Sequence, residues 1–118
     1  MKINILGSEY TIKKVNKGED EFMEQKSLWG YCNYITKEIV HLNIRTVNEY
    51  KTEPAETIKL LENETLRHEI IHAFLNESGL QDSSHVPTNG WANNEEMVDW
   101  FAIQLPKILD AFVMADCI

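Results

Sequence analysis

The first part of the chain alternates apolar and polar positions in short stretches, which is typical of β-strands. Residues 2–6 and 10–15 form two such stretches, and Gly7-Ser8 between them predicts the turn of a β-hairpin. Residues 30–44 predict a second hairpin, because a polar turn at residues 36–38 precedes a β-branched, apolar run. The first third of the chain is therefore expected to form a small, mostly antiparallel sheet.

After Thr52 the apolar period lengthens to that of an α-helix. Thr52 or Glu53 can cap this helix, Pro54 suits its first turn, and Gly79 is well placed to end it. Apolar residues recur at helical spacing between these limits, at Ile58, Leu61, Leu66, Ile70 and Phe74. We expect a helix of about 26 residues, or about 39 Å.

A second helix is predicted after a polar loop over residues 80–92. Asn93 is a suitable N-cap, and Glu96 three residues later would complete a capping box. Pro106 lies inside this helix and is expected to kink or divide it, since an interior proline costs about 3 kcal/mol. The predicted inward stripe is Met97, Phe101, Leu105, Ile108 and Phe112. Strands followed by helices indicate an α+β fold, with the sheet packed on a long helix and a C-terminal helix.

Length and composition limit the classes of protein to consider. The 118 residues are expected to form one domain over positions 1–118, with the 43% apolar and 25% charged residues of an ordinary soluble protein. A formal net charge of −8 disfavours a phosphate-binding surface, so we expect no nucleic-acid partner. We also expect no membrane partner and a cytoplasmic location, because no apolar run reaches the length of a membrane span and the start resembles no signal peptide. Cys32 and Cys117 are consistent with reduced thiols.

The long predicted helix contains the sequence His68-Glu69-Ile70-Ile71-His72. Residues four apart lie about 40° apart around a helix, so His68 and His72 project from one face. Two imidazoles in that arrangement can place nitrogens about 2.0–2.1 Å from one zinc ion. Glu69 lies at the rim of the same site, where it can take a proton from metal-bound water, as the glutamate of the HExxH motif does in metalloproteases. Taken alone, the motif also fits two surface histidines and a solvated glutamate.

A catalytic zinc ion needs a third protein ligand. The position six residues after His72 holds Ser78, so a third histidine there is excluded. Glu95, 23 residues after His72, can return on the second helix. Glu95 and Glu96 differ by about 100° around a helix, so only one can face the metal; we favour Glu95 because Glu96 suits the capping box. Asp99, one turn further, can accept the outer N–H of a ligating histidine.

These motifs resemble those of the gluzincin metallopeptidases, the thermolysin type. HExxH together with Asn94-Glu95-x-x-x-Asp99 looks like the gluzincin pattern, and the short scaffold is similar to minimal bacterial and phage zincins. Among these is the ImmA/IrrE type, in which an acidic residue is followed closely by a helix with Phe-Ala, here Phe101-Ala102. Residues 65–112 also resemble small phage and prophage proteins of Gram-positive bacteria. The resemblance implies a zincin-like fold in which Zn²⁺ is bound by His68, His72 and Glu95, with Glu69 as general base and Asp99 supporting a ligand.

The function expected from this resemblance is zinc-dependent hydrolysis of peptide bonds in a protein or peptide substrate. Glu69 would deprotonate the metal-bound water while a hydrogen-bond donor stabilises the oxyanion. His85, in the loop before the second helix, is the candidate donor and Tyr31 the second candidate, although His85 also fits a solvated loop histidine. An edge strand from residues 30–44 would let an extended peptide add to the sheet. The alternative is a non-catalytic zincin-fold module, a phage-type protein that binds a host factor with structural zinc or none. The presence of Glu69 argues against it, because a structural site needs no general base.

Overall fold

The computed structural model describes residues 1–83 and 90–118, and its architecture is α+β. The strands are β1 (Lys2–Ile5), β2 (Ser8–Val15), β3 (Gly30–Asn33) and β4 (Glu38–Leu42). The α-helices are α1 (Glu21–Lys26), α2 (Ala55–Glu77), α3 (Leu80–Ser83) and α4 (Glu95–Met114). Short 3-10 turns are formed by Ile44–Thr46, Asn48–Tyr50 and Trp91–Asn93. Among the described helices, none combines the length and the apolar character that crossing a lipid bilayer requires.

The sheet is mixed, with the strand order β1-β2-β4-β3. Both predicted hairpins are present, since β1 pairs with β2 and β3 pairs with β4 in antiparallel fashion. The two hairpins join through a parallel pairing of β2 with β4, so the expectation of a mostly antiparallel sheet built from hairpins alone is wrong. A parallel pair needs a long crossover connection, which α1 and β3 provide here. Alternation of apolar residues along a strand carries no information about that direction.

The two faces of the sheet are covered by different helices. One face contributes Ile5, Tyr10, Ile12 and Ile39 to a cluster that Ala73 of α2 completes. The opposite face packs Val40 and Leu42 on Met23 of α1. The central strand β4 is thereby buried on both sides, and its four residues from Ile39 to Leu42 are all buried, the polar His41 included.

Helix α2 lies between the sheet and α4 and contacts both. Its predicted end is confirmed, since Gly79 follows the helix with a φ of 90°, a backbone conformation that favours glycine. Its predicted start is wrong by one or two residues, because Pro54 occupies the N-cap position and no side chain caps the helix. The buried positions of α2 include two glutamates, Glu62 and Glu69, which a search for apolar residues at helical spacing does not find.

Two carboxylates attach α2 to the sheet side of the molecule. Glu62, near the middle of the helix, accepts hydrogen bonds from the backbone N–H of Ile44 at 3.0 Å and from the Lys14 ammonium at 2.5 Å. Glu77, in the last turn, accepts from the hydroxyls of Ser8 and Tyr10 at 2.8 and 2.7 Å and from Lys37. These bonds fix the helix at two separated points along its length, on either side of the HExxH segment.

The N-cap and the start of helix α4 lie one residue later in the chain than predicted. Asn94, not Asn93, is the N-cap, and its side chain accepts the backbone N–H of Met97 at 3.0 Å. Asn93 instead ends the 3-10 turn, so the predicted capping box with Glu96 is wrong. The helix continues through Pro106 to Met114 without being divided. Its buried residues are Val98 and Ala102, one position beyond the predicted Met97 and Phe101, and Phe112 of the predicted stripe is exposed.

Candidate metal centre

The two histidines of the HExxH segment face each other in a cleft between α2 and α4. Their Nε2 atoms are 3.1 Å apart, and both side chains are largely buried. This juxtaposition follows from the helical spacing of four residues, as predicted.

The partners of the outer ring nitrogens favour one tautomer of each histidine when its ring is neutral. Nδ1 of His72 is 3.1 Å from the backbone carbonyl oxygen of Ala92, which can only accept a hydrogen bond. Nδ1 of His68 is 2.6 Å from Oδ1 of Asp99, which is also an acceptor when ionised. In a neutral ring the proton therefore resides on Nδ1, and each Nε2 directs an unshared electron pair into the space between the rings. Asp99 thus occupies the supporting position expected of it.

Glu95 brings a carboxylate to the same space. Its Oε2 is 3.0 Å from His68 Nε2, and its Oε1 is 3.2 Å from His72 Nε2. Asn94 makes this possible by capping α4, so that Glu95 is the first helical residue and points back across the cleft. Glu96 lies instead in a separate groove beside Trp100 and Ile103.

The separations of these three donor atoms match a tetrahedral metal site. Zinc bonds of about 2.0–2.1 Å at tetrahedral angles place neighbouring ligand atoms about 3.3–3.4 Å apart. Between His68 Nε2, His72 Nε2 and Glu95 Oε2 the separations are 3.1 Å for the two nitrogens and 3.0 and 3.3 Å from those nitrogens to the oxygen. Two imidazoles and one carboxylate suit a borderline cation such as Zn²⁺. The residues present therefore fit the ion that the sequence motif implies.

Glu69 is placed beside this donor set and is 6% exposed. Its Oε1 is 4.0 Å from His68 Nε2, farther than the Glu95 carboxylate, and its side-chain donor atoms lie within 4.8 Å of those of both histidines. Burial raises the pKa of Glu69 to about 7, although the neighbouring His68 opposes the rise. A carboxyl group with that pKa can accept and return a proton near neutral pH.

Gly30 of β3 allows the sheet to approach Glu69. A Cβ atom at Gly30 would lie 3.0 Å from Cγ2 of Thr65 and 3.1 and 3.2 Å from Cγ and Oε1 of Glu69. The nearby thiol of Cys32 is partly buried, and burial followed by the charge of Glu69 raises its pKa to about 12. Such a thiol is protonated and is a poor metal ligand at neutral pH.

Two adjoining cavities of about 340 and 350 Å³ meet at the candidate metal centre. They share Leu28, Gly30, His68, Glu69 and Glu95, and together they form one cleft along β3. The first extends towards Trp29 and Asp99, and the second towards Tyr34, Asn76 and Gln81.

The two candidate oxyanion donors have different outcomes. Tyr31 is among the residues that line the second cavity, but its hydroxyl donates to Oδ2 of Asp20 at 2.7 Å and its ring packs with the cluster on the α1 side of the sheet. His85 lies outside the described residues. Tyr34 and Asn76 line the cleft and were not predicted; Asn76 follows His72 by one helical turn, a spacing that the sequence displays.

Comparison with known proteins does not place the chain in a family. No protein-family model, curated protein or solved structure matches the chain. The zincin resemblance thus stays a prediction based on the motif, and the identity of the metal stays a prediction based on the donor atoms.

Proposed function

We propose that the protein is a zinc-dependent metallopeptidase that hydrolyses peptide bonds in a protein or peptide substrate. The proposed metal ligands are His68, His72 and Glu95, with Glu69 as general base and Asp99 as the residue that orients His68. Localisation in the cytoplasm and the zincin-like relationship belong to the same proposal.

One observation carries the metal site: the Nε2 atoms of His68 and His72 and the carboxylate of Glu95 converge on one small space. The outer nitrogens of both histidines face acceptors, so in neutral rings Nδ1 carries the proton and the two Nε2 atoms, 3.1 Å apart, carry unshared electron pairs. The carboxylate of Glu95 lies 3.0 Å from one of them. Unshared electron pairs at that distance repel one another unless protons or a cation lie between them. A divalent cation between them would coordinate the two nitrogens and the carboxylate at once.

The hydrolytic role is supported by Glu69, which has the properties of a general base. Bound zinc would supply a Lewis acid that polarises a carbonyl and lowers the pKa of water. Glu69 is buried under Gly30 next to that position, where its carboxylate can take up a proton from water and pass it to a leaving amine. Asp99 keeps the His68 ring in the orientation and tautomer that leave Nε2 free.

The exposed edge of β3 supports a peptide as the substrate class. The backbone N–H of Leu42 donates a hydrogen bond to the carbonyl of Trp29 at 2.8 Å, so these two residues form a hydrogen-bonded pair. Along the antiparallel ladder of β3 and β4, such pairs alternate with pairs that are not hydrogen-bonded. Gly30 and Cys32 consequently direct their N–H and C=O groups away from β4, and no described strand lies on that side of β3. An extended peptide can add there, beside Glu69.

The proposal is tested with protein purified without chelators or immobilised-metal resin. Mass spectrometry should find about one zinc per chain in the wild type and much less in His72→Ala. Glu95→Gln should weaken zinc binding by more than the roughly 10–100-fold that loss of an outer-shell partner costs, and the matched variant Glu96→Gln should not. With a quenched-fluorescence peptide library, Glu69→Gln should retain zinc and lose cleavage. Wild-type protein that takes up no zinc, even when zinc is supplied, would refute the proposal.

A non-catalytic binding module is the second candidate, and one surface favours it. The C-terminal half of α4 exposes apolar side chains, namely Leu109, Phe112, Val113 and Met114. Exposed apolar surface of this kind is typical of contacts with other proteins. In this case Glu69→Gln would leave the biological effect intact, whereas the enzyme reading requires its loss.

A further inference from the structure

Pro106 leaves one backbone carbonyl of α4 without its usual partner. In an α-helix the carbonyl of Ala102 accepts from the N–H four residues later, but proline has no N–H. Ala102 is 1% exposed, so water does not replace the missing donor easily. A buried carbonyl in this position is destabilising unless another group bonds it.

The missing donor comes from the neighbouring helix. Nε of Arg67 on α2 donates a hydrogen bond to the carbonyl oxygen of Ala102 at 2.5 Å. Arg67 immediately precedes His68, so the bond lies next to the candidate metal centre in the sequence of α2. A charged donor to a buried carbonyl makes one of the stronger kinds of hydrogen bond in proteins.

Three consecutive contacts link one face of α4 to α2. Glu95, Asp99 and Ala102 are spaced by four and three residues and so share a face of α4. Glu95 and Asp99 contact the histidines, and Ala102 contacts Arg67. A slide of α4 along α2 that broke the third contact would also displace the first two.

We propose that Arg67 is a positioning residue: by binding the carbonyl that Pro106 leaves free, it sets the axial position of α4 on α2 and thereby holds Glu95 and Asp99 opposite His68 and His72. The consequence for metal affinity rests on the proposed zinc site. The Arg67–Ala102 bond and its effect on the His68–Asp99 pair do not depend on zinc.

A double-mutant cycle in metal-free protein isolates this bond. The substitution Pro106→Ala restores an N–H that can bond the Ala102 carbonyl within α4. Arg67→Ala should therefore lower the folding equilibrium constant about tenfold more in the wild-type background than in the Pro106→Ala background. Lys59→Ala, at an exposed position of α2, is the control and should show no such dependence. Equal effects of Arg67→Ala in both backgrounds would overturn the proposal.

Two further readouts separate positioning from a merely structural role. Proton NMR of metal-free protein should show a hydrogen-bonded Nδ1–H of His68, and this signal should be lost in Arg67→Ala. Zinc affinity, measured by competition with a chromophoric chelator, should fall about 10–100-fold in Arg67→Ala. The double variant should regain stability but not affinity, because the helix then satisfies its own carbonyl without contacting α2.

The outcomes distinguish the two proposals. If the wild type binds no zinc, the metallopeptidase proposal fails, and the stability cycle together with the His68 signal still decides the role of Arg67. If the wild type binds zinc and Arg67→Ala binds it within twofold as tightly, with the His68 signal unchanged, the positioning role is refuted while the zinc site stands.

Discussion

Gly30→Ala tests whether the close approach of β3 to α2 matters for both stability and catalysis. Gly30 lies in a strand and has no positive φ, so alanine can adopt its backbone conformation. The added Cβ would lie 3.0 Å from Cγ2 of Thr65 and 3.1 and 3.2 Å from Cγ and Oε1 of Glu69. These neighbours must move by several tenths of an ångström to accommodate it.

The expected magnitude follows from two opposing terms. Replacing glycine by alanine at a compatible position ordinarily stabilises a protein by about 0.4–1 kcal/mol. An extra methyl group in a filled site destabilises by about 1–3 kcal/mol. The second term should prevail here, because Glu69 is 6% exposed and the Thr65 hydroxyl is held by the carbonyl of Leu61 at 3.0 Å. We expect a net loss of about 1–2 kcal/mol in the free energy of unfolding.

Urea denaturation of metal-free protein measures this loss, and peptide cleavage measures the effect on Glu69. Thr65→Ser removes the methyl group that makes the closest contact and retains the hydroxyl, so it serves as the matched second variant. The double variant should recover part of the stability, but cleavage should stay impaired because the contact with Glu69 persists. If Gly30→Ala is as stable as the wild type and cleaves normally, the proposed crowding of Glu69 is refuted.

Three further predictions concern the helix ends and the buried glutamate. The pKa of Glu77 is lowered from 4.5 to about 2 by hydrogen bonds from Lys37, Tyr10 and Ser8. The stabilisation of the folded state by the Glu77 carboxylate is therefore complete above pH 4.5 and is lost as the pH falls towards about 2. Urea denaturation should show a smaller dependence of stability on pH in Glu77→Gln. Asn94→Ala should lower the free energy of unfolding by about 1 kcal/mol through loss of the α4 cap, whereas Asn93→Ala should not. Glu69→Gln should make the metal-free protein more stable at pH 8 in thermal denaturation.

The parts of the fold that depend on local sequence could be predicted. The spacing of apolar residues and the turn residues lie within a few positions of each other in the sequence. They are enough to predict both hairpins, the end of α2 at Gly79 and the contact of His68 with His72. The parallel pairing of β2 with β4 depends on where the α1 connection crosses the sheet, which no local pattern records. The apolar stripe of α2 was predicted in part: Ile58 is buried and Leu66 and Ile70 pack against the core, whereas Phe74 is exposed. The buried Glu62 and Glu69 were missed because a search for apolar residues does not find them.

The candidate site divides in the same way. Placing Glu95 beside the histidines was predicted, but the reason given was wrong: Asn94 caps α4, and Glu96 takes no part in a capping box. Gly30 gave no signal, because the importance of a missing side chain depends on which helix packs against it. Arg67 was likewise not recognised, since its role depends on a carbonyl that a proline on another helix leaves free.

The stability cost of burying the ionised Glu69 carboxylate favours the enzyme over the binding module. Burial raises its pKa from 4.5 to about 7, so folding opposes its ionised form by about 3 kcal/mol in metal-free protein above that pH. Because the pKa of Glu69 is raised on folding, the protonated carboxyl favours the folded state below pH 4.5. This contribution to the free energy of unfolding is lost as the pH rises through 7. A module that only binds a partner would be more stable with glutamine there. A carboxylate that costs stability, next to three convergent ligand atoms, is expected where a proton must be transferred.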